Sequence, residues 1–203
     1  MATEKYYRHG PTARILHLLH LVAMVMVILS GFHILYPSKF AVFGTVNTAR
    51  KIHFFGMYLI VFPMIFRFVY HVWVTGDIKK YLITPKDLSY FPAFVKYYTF
   101  MSKEKPWGHD YNLGQKATYM LWPVLLILQA VTGFAIYWPT HSWLAPVVGF
   151  FGGILNLKLW HTVIAWIFTW SVVLHIYLGS TGVTFSDLYR SMITGYETVE
   201  VEE

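Results

Sequence analysis

A chain of 203 residues that is 56% hydrophobic, 19% aromatic and only 13% charged, with mean hydropathy +0.47, is too apolar for an ordinary soluble domain. Its formal net charge of +6 would suggest nucleic acid in a soluble protein, but topology accounts for most of it here, and no nucleic-acid partner is expected. Cysteine is absent, which excludes disulfides, thiolate zinc sites and any iron–sulfur cluster ligated by this chain.

Residues 1–14 are polar and basic, with Lys5, Arg8 and Arg14. The run Ile15–Tyr36 is too long for a signal-peptide core and has no clear small-residue cleavage site, so it reads as a retained first span. His17 sits in its first turn, His20 one turn on, and Ser30-Gly31 and His33 further along. After the short loop Pro37–Asn47, a second span covers about Ile52–Val72. Arg50 and Lys51 stand at its mouth, His53 in its first turn, Gly56 one turn later, and Arg67 and His71 near its far end; Pro63 is expected to kink it.

Trp73–Asn112 is the longest polar connection, with Lys79, Lys80, Lys86, Lys96, Lys103 and Lys105 among aromatic residues. Within it, Tyr90–Met101 has the mixture of a helix lying on a bilayer or on a partner. The third span, about Ala117–Trp138, carries Gln129, Thr132 and Gly133 but no histidine. The loop Pro139–Lys158 leads to the fourth span, about Leu157–Leu178, with His161 and His175, and the chain ends in an acidic tail. Tryptophan and tyrosine recur near the ends of the runs, as interfacial belts require. No internal repeat or linker is visible, so the expected architecture is one all-α domain over residues 1–203, a bundle of four transmembrane helices.

Charge sets the expected orientation. With the N-terminus inside, Lys5, Arg8, Arg14, Arg67, the six loop lysines, Lys116 and Arg190 all lie inside, which is twelve of the sixteen Lys and Arg. Lys39, Arg50, Lys51 and Lys158 lie outside. The positive-inside rule therefore places both termini in the cytoplasm.

That orientation pairs the histidines. His161 and His175 are fourteen residues apart, which turns the second to within roughly 40° of the first and sets them about 21 Å apart along one helix. His53 and His161 both belong to the outer leaflet, His17 and His175 to the inner. Two imidazoles at one depth on different helices are what a six-coordinate haem b requires, so two such haems are expected. Glycines one turn away, such as Gly56, would let a ring approach a backbone. Arg14 and Lys116 inside, and Arg50 and Lys51 outside, are placed to meet haem propionates. His20 and His33 read as packing residues, His9, His109 and His141 as loop residues, His71 as a residue that snorkels, and Met24, Met57, Met64 and Met120 as core filling.

The segments RILH (Arg14–His17), RKIHFFG (Arg50–Gly56), RFVYH (Arg67–His71), YNLGQK (Tyr111–Lys116) and VTG (Val131–Gly133), with the two histidines of the fourth span, together resemble the cytochrome b (gamma) subunit of membrane-bound respiratory formate dehydrogenases. The resemblance runs from Arg14 to about Gly195 and extends to the membrane anchors of nickel–iron hydrogenases and thiosulfate reductases. It implies two haems b held in the pairing above, an iron–sulfur beta subunit and a catalytic alpha subunit as partners, and a higher oligomer. It also implies a menaquinone site beside the cytoplasmic haem, at His175, Asn112 and Gly114, with Gln115 adjacent. Asparagine before a helix has an N-cap as its plain alternative. The expected function is a transmembrane electron conduit from the partner to quinone. A transporter or metal-ion conduit that uses the histidines as relay would be favoured by acidic residues in the spans, and there are none.

Overall fold

A computed structural model describes residues 2–76, 78–102 and 111–201; Lys103, Lys105 and His109 lie outside them. In chain order the elements are β1 (Ala2–Tyr7), α1 (Pro11–Leu35), α2 (Val46–Val69), α3 (Pro85–Ser89), α4 (Phe91–Tyr98), α5 (Leu113–Tyr137), α6 (Ala145–Phe150), α7 (Ile154–Gly179), α8 (Asp187–Thr194) and β2 (Tyr196–Val201). The helix of α2 continues into a π turn, Tyr70–Val74, and a 3-10 turn covers Ile78–Tyr81.

Four helices among the described residues are long and apolar enough to cross a membrane: Pro11–Leu35, Val46–Val74, Leu113–Tyr137 and Ile154–Gly179. These are the expected spans, with ends moved by capping chemistry. The second begins at Val46 rather than Ile52 because the Thr45 side chain accepts from the Thr48 N–H at 3.1 Å and so nucleates the helix earlier. Tyr36 and Trp138 fall just past their helices as C-caps. Neither Pro63 in α2 nor Pro123 in α5 interrupts its helix.

Large side chains such as Ile15, Phe62 and Trp170 point away from the protein, an arrangement that water would penalise and lipid tails accept. The helices pack as two antiparallel pairs, α1 with α2 and α5 with α7. Between the pairs, at mid-depth, lies a core of Ala23, Met24, Ile60, Leu125, Ile164 and Phe168. Gly56 serves the first pair. A Cβ built on it would lie 2.8 Å from Val27 Cγ1 and 3.3 Å from the Ala23 carbonyl, so this glycine admits α1 rather than a cofactor, contrary to the expectation from sequence.

The two ends of the chain meet. β1 and β2 form an antiparallel two-stranded sheet in register Ala2↔Val201 to Tyr7↔Tyr196, which puts both termini on one side of the bundle. Arg8 Nε lies 3.4 Å from Glu197, and buried Asp187 accepts from the Thr198 hydroxyl at 2.7 Å and N–H at 3.0 Å. No sequence signal anticipated this clasp. Gly56→Val should destabilise the α1–α2 pair by about 1–3 kcal/mol, because the backbone of α1 must move to admit the side chain; thermal unfolding in detergent, followed by circular dichroism, measures it.

Candidate functional site: two level pairs of imidazoles

Antiparallel packing brings the four histidines together in the expected pairs. His17 of α1 faces His175 of α7 with ring centroids 6.1 Å apart, and His53 of α2 faces His161 of α7 with centroids 6.5 Å apart. A metal–imidazole bond is about 2.0–2.1 Å and the ring centroid sits about 1.2 Å behind the ligating nitrogen, so two imidazoles trans on one iron have centroids roughly 6.4 Å apart. Both pairs have that spacing, too wide for a direct hydrogen bond and matched to an intervening metal. Among the described residues no cluster of three or more His, Cys, Asp or Glu could hold a bare metal ion, so each level offers two protein ligands, the number a porphyrin leaves to be filled.

At the level of His53 and His161 both imidazoles are held from behind. His53 Nδ1 lies 2.9 Å from Ser30 Oγ on α1, and His161 Nδ1 lies 2.7 Å from Thr132 Oγ1 on α5. Gln129 Nε2 donates to the His161 carbonyl at 2.9 Å, so α5 grips this residue at two points. The glycines that come close to imidazoles are Gly31 and Gly133: a Cβ on either would meet His53 Cε1 at 3.5 Å or His161 Cε1 at 3.4 Å. Ser30-Gly31 and Thr132-Gly133 thus line the backs of His53 and His161, one dipeptide in each helix pair.

The level of His17 and His175 differs. His17 Nδ1 is buried with no hydrogen-bond partner, and the His175 ring packs on Trp122 at 5.5 Å. Arg14 Nη1 donates to the Ile193 carbonyl at 2.5 Å, while its Nε is buried and unpartnered. Orphaned buried donors at this end fit a polar group of a cofactor, such as a propionate. The other expected propionate contacts separate by environment. Arg50 and Lys51 are exposed at the start of α2. Lys116 is already paired, with Nζ 2.8 Å from each Asp87 oxygen. Burial alone would raise the Asp87 carboxyl, but Lys116 and Thr84 outweigh it and hold it at about 2, so its charge is fully available to Lys116.

Asn112 takes its alternative role. Its side chain accepts from the Gln115 N–H at 2.9 Å, the Gln115 side chain accepts from the Asn112 N–H at 3.0 Å, and Asn112 Nδ2 donates to Tyr98 Oη at 3.3 Å. The capping box engages the oxygen of the amide, and the nitrogen of the same amide is the donor to Tyr98. Gly114 is covered by Phe94 of α4, which a Cβ would meet at 2.9 Å. Burial pushes the Tyr98 phenol up to about 12, so it stays protonated. The segment expected to lie on a bilayer or partner contains α4, and here it closes over the start of α5 and reaches the turn after α7 through Tyr97, whose hydroxyl donates to the Thr181 carbonyl.

The remaining histidines have structural partners. His33 Nδ1 accepts from the Phe43 N–H at 3.1 Å and stacks on that ring, His20 Nδ1 lies 2.8 Å from the Leu16 carbonyl, and His71 packs against Tyr81. His9 is half-buried, and burial followed by neighbouring cationic Arg8 pushes it down to about 4, so it is neutral near pH 7. Ser30, Thr132 and Gln129 had no assigned role in the sequence; the signal was their polarity inside apolar spans.

The family model described as prokaryotic cytochrome b561 matches residues 8–195. A probable Ni/Fe-hydrogenase B-type cytochrome subunit of Azotobacter chroococcum mcd 1 is 28% identical over 116 residues, covering 50% of this chain and 47% of the relative, so the match spans about half the length of either protein. Asn112→Ala should cost about 1 kcal/mol of stability through the lost cap, with Asn112→Asp restoring it; unfolding followed at the Trp fluorescence of both variants measures this.

Proposed function

We propose, from the premise that this chain belongs to the prokaryotic cytochrome b561 family, that it is the membrane electron-transfer subunit of a nickel–iron hydrogenase-type complex. Membership makes it a membrane cytochrome that binds haem b; the partner assignment draws on the hydrogenase-type relative. The observation that carries the reading is the pair of facing imidazole sets, with centroids 6.1 and 6.5 Å apart at two depths of one bundle.

His53 and His161 would hold one haem b, and His17 and His175 the other. Bound haem supplies reversible one-electron chemistry at its iron. What the protein contributes is placement and exclusion. α7 provides one ligand at each level, about 21 Å apart along its axis, so the two sites are locked in relative position by a single helix. The mid-depth core, Met24, Leu125 and Phe168 among it, keeps water from the space between the levels. With the termini cytoplasmic, electrons enter from a partner iron–sulfur subunit at the level of His53 and His161, and menaquinone is reduced near His17 and His175. Protons for the quinone then come from the cytoplasm, and turnover charges the membrane.

A formate dehydrogenase complex is the second reading. It draws on the YNLGQK segment, Tyr111–Lys116, and keeps the same conduit with different iron–sulfur and catalytic partners. Reduced-minus-oxidised spectra of the purified membrane complex, with haem quantified per chain, test both. Two b-type haems reduced by hydrogen and reoxidised by a menaquinone analogue are expected; reduction by formate instead would transfer the chain to the second reading. His161→Ala should retain one haem of two, and retention of both would overturn the pairing.

A further inference from the structure

We infer that Ser30 and Thr132 are positioning residues that fix the tautomer and basicity of the two outer imidazoles, each hydroxyl accepting the Nδ1–H of His53 or His161 and leaving the Nε2 lone pair for iron. The inference deepens the haem reading and rests on it.

Hydroxyl hydrogens decide the direction. Ser30 Oγ is 2.6 Å from the Met26 carbonyl and 3.2 Å from that of Val27; Thr132 Oγ1 is 2.6 Å from the Leu128 carbonyl and 3.3 Å from that of Gln129. Two oxygens at 2.6 Å repel unless a hydrogen lies between them, and the carbonyl has none to give. Each hydroxyl therefore spends its hydrogen on its own helix, four residues back, and faces the imidazole with lone pairs only. The contacts at 2.9 and 2.7 Å are then Nδ1–H donating to oxygen, which leaves Nε2 unprotonated in both rings. Ser30 and Thr132 are almost fully buried, so water does not compete for either contact.

Serine and threonine often back-bond within membrane helices without further purpose. Here the same back-bond is paired with the same imidazole contact on two helices, α1 and α5, and each hydroxyl residue is followed by a glycine that adjoins the ring. A hydrogen bond to the distal nitrogen of a ligating histidine raises ligand basicity and favours the oxidised metal. The outer haem is thus held at a lower potential than its two imidazoles alone would set. At the inner level His17 Nδ1 has no such partner.

The test compares Ser30→Ala, Thr132→Val and Thr132→Ser in the membrane complex purified with its partner subunits, using optical redox titration and haem retention in detergent. The outer haem is identified as the one missing in His161→Ala. Ser30→Ala and Thr132→Val should raise the midpoint potential of the outer haem, leave the inner one unmoved, and weaken outer haem retention about 10–100-fold. Thr132→Ser, which keeps the hydroxyl, should restore wild-type behaviour. Unchanged midpoints in both hydroxyl-deleted variants would overturn the inference, as would a Thr132→Ser protein that behaves like Thr132→Val, since the methyl group rather than the hydroxyl would then be what matters. Wild-type protein without haem would instead overturn the parent reading.

Discussion

An imidazole inside a lipid-facing helix is tolerated only if it is turned inward and given something to bind. Four of them set the terms on which this bundle packs. α7 carries two of the four on one face, so α1 must approach it at one depth and α2 at the other, and the helix pairs cannot slide without breaking both levels at once. The gap of just over 6 Å between facing rings means that the protein alone does not close these contacts. On the proposed haem reading a planar cofactor with a central metal would complete them, and assembly of the bundle and binding of haem would then be parts of one equilibrium.

The half of the molecule around His53 and His161 repeats one local arrangement twice. A histidine on one helix of each pair is backed by a hydroxyl on the other, Ser30 behind His53 and Thr132 behind His161, with a glycine next in sequence to each hydroxyl. The half around His17 and His175 is built differently. There the polar residues serve capping and closure: Asn112 caps α5, Lys116 binds Asp87, and the terminal strands clasp α8 through Asp187. One level has its electrostatics built into the helices, whereas the other is bounded by loops and short elements.

Length, apolar runs and the positions of four histidines were enough, in sequence alone, to determine the class, the four spans and the pairing, because a helix in lipid satisfies its own backbone and leaves depth as a simple function of residue number. His17, His53, His161 and His175 were legible for that reason. Helix ends were less so, since Thr45 starts α2 six residues before the apolar run does. Only the tertiary structure decided what stands behind each ring. Gly56 looked like a cofactor glycine and turned out to admit a helix; Asn112 caps α5 and bonds Tyr98; Lys116 is paired with Asp87, twenty-nine residues away. Ser30 and Thr132 meet residues twenty-three and twenty-nine positions distant, and the sheet joins the two ends of the chain. Such contacts depend on how helices rotate and approach one another, which local periodicity does not encode, whereas depth and exposure to lipid follow from the chain itself.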